Sequence, residues 1–276
     1  MFFKFFYYFS IFLLFSCSSN DDEMQIDYSL RSDSALYNEA LSALKSKEFN
    51  IAHELFTELD LQHPYSKWAT KGQLMSGFSL YKDNKYDEAI FVLSKFINLN
   101  PNNPDLDYAY YLKGYCYYER INLVSRDQKY AESAFEVFNE LKNKFPESKY
   151  SKKSLKHINL LNNQLAGKEI SIAKYYQTRG NFLSGILRYK EVIKKYKNSA
   201  QIPESLYRMI ECYLSLGLKD QAIRFVKVLA YNFPKSQWSR DSFILMKKHK
   251  VSYKVDYEKD KSLDLNSINS EEFNNF

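Results

Sequence analysis

Glycine and proline are scarce in this chain, seven and six residues out of 276, together under 5%. So little glycine argues against a turn-dense all-β fold and against glycine-rich phosphate loops, and both scarcities suit long helices, whose interiors these residues destabilise. Three cysteines cannot staple a chain of this length, which excludes a disulfide scaffold. The four histidines, His53, His63, His157 and His249, form no i,i+4 pair and have no Cys-x-x-Cys companion, so no metal site is expected. GxGxxG, GxxxxGKS and GxSxG strings are absent. Carboxylate pairs such as Asp105 and Asp107 fall at helix starts, where capping and dipole roles are the default. Nothing here reads as an enzyme, and no cofactor is implied by these residues.

What the chain does have is apolar and aromatic material: 45% hydrophobic residues and 17% aromatic ones, among them 24 tyrosines and 21 phenylalanines. That is ample for a packed core and excludes a disordered chain. The net charge of +6 comes from 39 basic and 33 acidic residues, interspersed without a basic arm, which reads as solvated helix faces. No nucleic-acid partner is expected.

Residues 1–16 read as a lipoprotein signal peptide, with one lysine, Lys4, ahead of the apolar stretch Phe5–Phe15. Eleven residues are too few for a transmembrane helix, which needs about 20, but suit a signal-peptide core. The stretch ends in Leu14-Phe15-Ser16-Cys17 and is followed by the polar run Ser18-Ser19-Asn20-Asp21-Asp22-Glu23. This resembles a bacterial lipobox, which implies that Cys17 is acylated and becomes the new N-terminus. With Ser18 rather than aspartate after Cys17, the resemblance also implies transfer to the outer membrane, on its periplasmic face. The lipid is then the anchor, each buried methylene contributing about 0.8 kcal/mol.

Beyond a linker spanning 17–32, one ruler repeats five times. Pro64, Pro101, Pro146, Lys197 and Pro234 mark it; twelve residues before each lie Ala52, Ala89, Ala134, Gly185 and Ala222, all small. Eight before each lie Phe56, Leu93, Phe138, Tyr189 and Val226, all large and apolar. This is the pattern of paired antiparallel helices: the small residue permits close crossing, and the large one four later fills the next layer of the same face. Lys47, Asn84, Lys129, Gly180 and Gly217 fall where the helix-to-helix turn belongs. Ser66, Asn103, Ser148, Ser199 and Ser236, two after each mark, are expected to cap the next helix, with Pro104 and Pro203 in its first turn. The marks are 37, 45, 51 and 37 residues apart, near but above the tetratricopeptide period of about 34.

The expected fold is therefore all-α, a right-handed superhelix of about five tetratricopeptide-like hairpins that must stack to bury their faces. The extra length in the third unit lies near Ile121–Gln128, and the longest gap holds a lengthened helix over Ser148–Ala166 with Leu155, Ile158, Leu161 and Leu165 on one stripe. Three repeats over 33–147 are then joined by that helix to two more over 148–247, and 248–276 is a polar tail expected to be mobile. Cys116 and Cys212 occupy equivalent places in first helices and read as small core residues. First helices are rich in rings, Phe78, Tyr81, Tyr108, Tyr111, Tyr115, Tyr118 and Tyr207 among them, which favours peptide binding in the concave groove of such a stack.

Specific strings sharpen this. Glu58-Leu59-Asp60-Leu61-Gln62-His63-Pro64-Tyr65-Ser66, Asn100-Pro101-Asn102-Asn103-Pro104-Asp105-Leu106-Asp107-Tyr108-Ala109, Tyr111-Leu112-Lys113-Gly114, Arg126-Asp127-Gln128 and Ala173-Lys174-Tyr175-Tyr176 occur in order between about Leu36 and Ser236. They resemble the BamD family, lipoproteins of the outer-membrane β-barrel assembly machinery. Lys197 stands where that family usually has proline, and the third-unit insertion is short. The resemblance implies a non-enzymatic scaffold with no cofactor beyond the lipid on Cys17. It implies binding to the periplasmic domains of BamA and to the machinery's other lipoproteins, and reception of C-terminal strand signals of unfolded outer-membrane proteins. Carried onto this sequence, the receiving groove involves Tyr65, Phe78, Tyr81, Asp107, Tyr108 and Tyr111, and Arg188 belongs to the BamA-facing side. A different periplasmic repeat lipoprotein, such as a secretin pilotin or a cell-wall coordinator, shares the ruler but need not carry these strings.

Overall fold

Eleven helices and no strand make up the described residues of this computed structural model, which are 31–121, 128–252 and 263–265. They are α1 Asp33–Lys45, α2 Phe49–Gln62, α3 Lys67–Lys82, α4 Tyr86–Leu99, α5 Leu106–Glu119, α6 Lys129–Lys144, α7 Lys149–Thr178, α8 Phe182–Lys195, α9 Ile202–Ser215, α10 Lys219–Asn232 and α11 Gln237–Lys248. Consecutive helices pair into five hairpins, α1/α2 through α9/α10, and α11 closes the end. Cys17, the signal peptide and most of the linker lie outside the described residues, as do Arg126 and Asp127.

The hairpin turns share one construction. Lys47, Asn84, Gly180 and Gly217 all take a positive φ, between 59° and 78°. In each, the next amide reaches back to the carbonyl five residues earlier, as in Glu48 to Ala43 (2.9 Å), Lys85 to Leu80 (2.9 Å), Asn181 to Tyr176 (3.0 Å) and Leu218 to Tyr213 (2.9 Å). This is the Schellman termination, which satisfies the last carbonyls of the first helix. Lys129 breaks the series: it is the first residue of α6, not a turn residue. The added residues of the third hairpin make α5 exit through Arg120 and Ile121 by short i→i+3 bonds instead, so the ruler loses its turn there.

The connections between hairpins are equally regular. The amides of Ser66, Asn103, Ser148, Ser199 and Ser236 bond to the carbonyls three residues back, at 2.8 to 3.1 Å. Each mark, Pro64, Pro101, Pro146, Lys197 or Pro234, is thus the second residue of a four-residue turn, a place that favours proline. Ser66, Ser148 and Ser236 then cap α3, α7 and α11 directly. Asn103 and Ser199 cap instead a short turn that delays α5 and α9, accepting the amides of Asp105 (2.8 Å) and Gln201 (3.1 Å). Pro203 falls in the first turn of α9, whereas Pro104 precedes α5.

The small and large positions of the ruler meet the core as the spacing requires. Ala52, Ala89, Ala134 and Ala222 are fully buried, and so are Phe56, Leu93, Phe138, Tyr189 and Val226. Burying a side chain of that size contributes about 1.5–3 kcal/mol. The core runs as three adjoining clusters, with α6 giving Val137 and Leu141 to the middle one and Ala134 and Phe138 to the last. Cys116 and Cys212 are free and buried, their thiols pushed up to about 12 by burial, so they remain protonated.

The lengthened helix is one continuous α7 of 30 residues. It runs on to Thr178, past the Ala166 expected from sequence, because Ile170 and Ala173 continue its buried stripe. Its first half packs on the third hairpin and its second half is the first helix of the fourth. No helix among the described residues is long and apolar enough to cross a membrane. Of the tail, Leu263–Leu265 is packed rather than free: Leu263 is buried, and the Asn232 side chain donates through Nδ2 to the Leu263 carbonyl (2.7 Å) and accepts the Leu265 N–H at Oδ1 (3.2 Å).

Candidate functional site

First helices of neighbouring hairpins also touch one another, α1 with α3, α3 with α5, α5 with α7, and α9 with α11. This makes the first-helix side the inner side of the stack. Its middle carries an unbroken path of rings. Phe78 meets Tyr81 (6.3 Å between centroids), Tyr81 meets Tyr115 (5.9 Å), Tyr115 meets Tyr111 (5.9 Å), and Tyr111 meets Tyr150 (5.4 Å), which holds Tyr108 (5.0 Å). All six rings are partly buried, leaving edges and faces in water. Tilted and edge-on contacts of this kind add about 0.5–1.5 kcal/mol per pair beyond area burial.

Burial pushes the Tyr81 phenol up to about 12 and raises those of Tyr108 and Tyr111, so these phenols stay neutral at ordinary pH. Its far edge is closed by His157 on α7, which stacks on Phe138 (5.5 Å) and receives Tyr115 and Tyr118 edge-on (5.4 and 4.6 Å). Desolvation lowers the His157 pKa, and its Nδ1 is buried with no hydrogen-bond partner among the described residues. The result is a platform of rings bearing neutral hydroxyls, with Lys82 over Phe78 and Lys149 and Lys153 over Tyr150, able to hold an extended apolar or aromatic peptide by area and by single hydrogen bonds.

Four of the six groove residues implied by the resemblance, Phe78, Tyr81, Tyr108 and Tyr111, are therefore brought together. Asp107 is engaged within the fold. One carboxylate oxygen accepts the Tyr108 amide (2.7 Å) and the other the Ser148 hydroxyl (2.5 Å), which ties the start of α5 to the cap of α7. Asp33 does the same for the first hairpin, accepting the hydroxyl of Ser66, and that bond holds its pKa below the usual carboxylate value. Tyr65 is fully exposed in the turn between α2 and α3, apart from the ring path.

Toward the last hairpins the inner side turns from aromatic to ionic. Lys174 meets Glu204 (2.5 Å), Arg208 meets Glu211 (2.9 Å), and Gln177 donates to Glu211 (3.0 Å) while accepting from Tyr189 (2.7 Å). Arg188 lies on α8 and pairs with Glu169 of α7 at 3.2 Å, both partly exposed. Such a pair contributes little by itself, about 0–1 kcal/mol. Leu183 and Leu187 on the same helix are 65% and 63% exposed, so open apolar area lies on the helix that carries Arg188. Sequence reasoning missed both; exposed leucines one turn apart on a helix whose ruler positions are already buried were the available signal. It also missed Tyr150 and His157, which come from the next unit.

Comparison with known proteins gives one consistent result. Residues 30–228 match the YfiO family, described as outer membrane lipoprotein. The outer membrane protein assembly factor BamD of Caulobacter vibrioides is 37% identical over 83% of this chain and 75% of its own length. That of Rickettsia prowazekii is 37% identical over 86% of this chain and 93% of its own length. That of Neisseria meningitidis serogroup A is 33% identical over 73% of this chain and 79% of its own.

Proposed function

The chain belongs to the BamD family of outer-membrane protein assembly factors, a non-enzymatic class, and on that premise we propose that it is a periplasm-facing scaffold lipoprotein of the β-barrel assembly machinery. In this reading acylated Cys17 anchors it to the outer membrane. The fourth and fifth hairpins hold the periplasmic domains of BamA around Arg188, with Leu183 and Leu187 supplying the apolar burial. The inner aromatic face of the second and third hairpins receives the C-terminal strand signal of unfolded outer-membrane proteins. The observation that carries the reading is the ring path from Phe78 to Tyr150. A strand of a membrane β-barrel is an extended segment with apolar residues on alternate positions and aromatic residues at its ends, and a half-buried tyrosine platform suits it in shape and polarity.

Titration of a fluorescent C-terminal strand peptide against the full chain in detergent tests this. Tyr81→Ala and Tyr111→Ala are each expected to weaken binding at least five-fold, and Tyr65→Ala to leave it within two-fold. Equal affinity for all three variants and the parent would refute the assignment of the face.

A further inference from the structure

The outer side of the first two hairpins carries an open cavity. Between α2 and α4, floored by α3, lies a cavity of about 560 Å³. Phe56, Leu80 and Phe96 form its apolar base, and Phe91, 73% exposed, stands at its mouth. Most polar groups inside already answer one another: His53 Nδ1 with Ser76 Oγ (2.8 Å), and Gln73 Nε2 with Asp60 (2.6 Å). Two carboxylates at the rim are also engaged, Asp60 by Lys95 (3.5 Å) and Asp87 by Arg120 of the third hairpin (2.9 Å). Glu88, the third, has no ion-pair partner within 4 Å among the described residues. It is exposed at the rim, with Lys85 and His53 within its electrostatic reach, and adds a carboxylate to the mouth of an open apolar hole.

The surroundings extend the apolar character beyond the hole. Leu61 on α2 and Leu99 on α4 are 77% and 61% exposed, and Phe91, Lys95 and Leu99 follow one another at i,i+4 along α4. Phe91 and Leu99 thus stand on one face of α4, on either side of the Lys95 that pairs with Asp60. With most of its polar groups satisfied, the cavity offers a ligand one apolar socket and, at its rim, one carboxylate that lies in no ion pair within 4 Å among the described residues.

We propose that this cavity is a docking site for a partner protein segment that inserts one aromatic or branched apolar side chain between α2 and α4 and places an adjacent lysine or arginine against Glu88. The surface lies on the opposite side of the stack from the aromatic groove, so it is independent of the peptide reading above. It would let the scaffold hold a partner while the inner face is occupied.

The test is site-specific photocrosslinking from Thr57, which lines the cavity and is exposed, in the full-length chain in native membranes, with sequencing of the attached peptide by mass spectrometry. The expected adduct is a protein segment with a large apolar residue within three positions of a lysine or arginine. Its yield should fall at least five-fold in Glu88→Lys and two- to three-fold in Glu88→Gln, and stay unchanged in Glu147→Lys, an exposed charge reversal in the third-to-fourth connection. Thermal melts of the variants separate loss of docking from loss of folding. Adducts only to lipid, to a second copy of this chain, or to a segment without a basic residue would overturn the proposal. So would the absence of any adduct, or a yield indifferent to Glu88→Lys. Weakened strand-peptide binding in Tyr81→Ala with unchanged crosslinking from Thr57 would separate this site from the inner groove.

Discussion

Two glycines in long helices are expected to respond in opposite directions to the same substitution. A Cβ added at Gly167 of α7 meets nothing within 4 Å, so Gly167→Ala brings only the helix-propensity gain, about 1 kcal/mol of stabilisation. A Cβ added at Gly114 of α5 would stand 2.6 and 2.8 Å from two ring carbons of Phe138. That ring cannot give way, being fully buried, stacked on His157 at 5.5 Å and against Tyr111 at 6.2 Å. Gly114→Ala therefore sets the same gain of about 1 kcal/mol against an overpacking cost of about 1–3 kcal/mol. The difference between the two variants, near 1–3 kcal/mol, is the quantity to measure, by urea denaturation of the full chain in detergent followed by far-ultraviolet circular dichroism. Phe138→Leu in the Gly114→Ala background should cost less than Phe138→Leu alone, because the two changes share one space. Because Tyr111 rests on Phe138, Gly114→Ala should also weaken strand-peptide binding while Gly167→Ala does not. Equal stabilisation by both alanines would refute the packing of α5 on α6.

Other outcomes follow from single contacts. Lys197→Pro supplies the proline that the other four connections have, and is expected to raise stability by about 0.4–1 kcal/mol in the same denaturation assay; a loss would mean that this turn differs from its counterparts. Ser148→Ala removes both the cap of α7 and the hydroxyl that Asp107 accepts, and should cost about 1–2 kcal/mol, whereas Ser171→Ala, on the exposed side of the same helix, should stay within 0.5 kcal/mol. The Tyr81 phenol is raised from 10.0 to about 12, chiefly by burial, so the stability it contributes is fully present below pH 10 and is lost as the pH rises through about 12. Urea midpoints should therefore fall over that window, less steeply in Tyr81→Phe, and an unchanged slope would remove Tyr81 from the account.

Much of the fold was legible because the repeat encodes it locally. Alanine or glycine twelve before a mark and a large apolar residue eight before it say which helix face is crossed and which is filled, and those ten residues are buried. The ruler failed at Lys129, where added chain uncouples the turn from the count, and at Ala166, where the buried stripe continued through Ile170 and Ala173. The site was legible only as a composition of rings. Which rings touch depends on residues contributed by the following unit, Tyr150 and His157, and no spacing within one hairpin reveals them. Asp107 shows the same limit: its partner Ser148 is 41 positions away, and only their meeting makes it a fastening between hairpins.

The central claim, a scaffold of the barrel-assembly machinery held through its C-terminal hairpins, is tested most directly by affinity capture of the tagged chain from its own outer membrane, followed by mass spectrometry. The account predicts recovery of the barrel-forming subunit, diminished in Arg188→Glu and further when Leu183→Asp is added. Recovery of a secretin or a cell-wall synthase in its place, or of no barrel-assembly subunit at all, would contradict it.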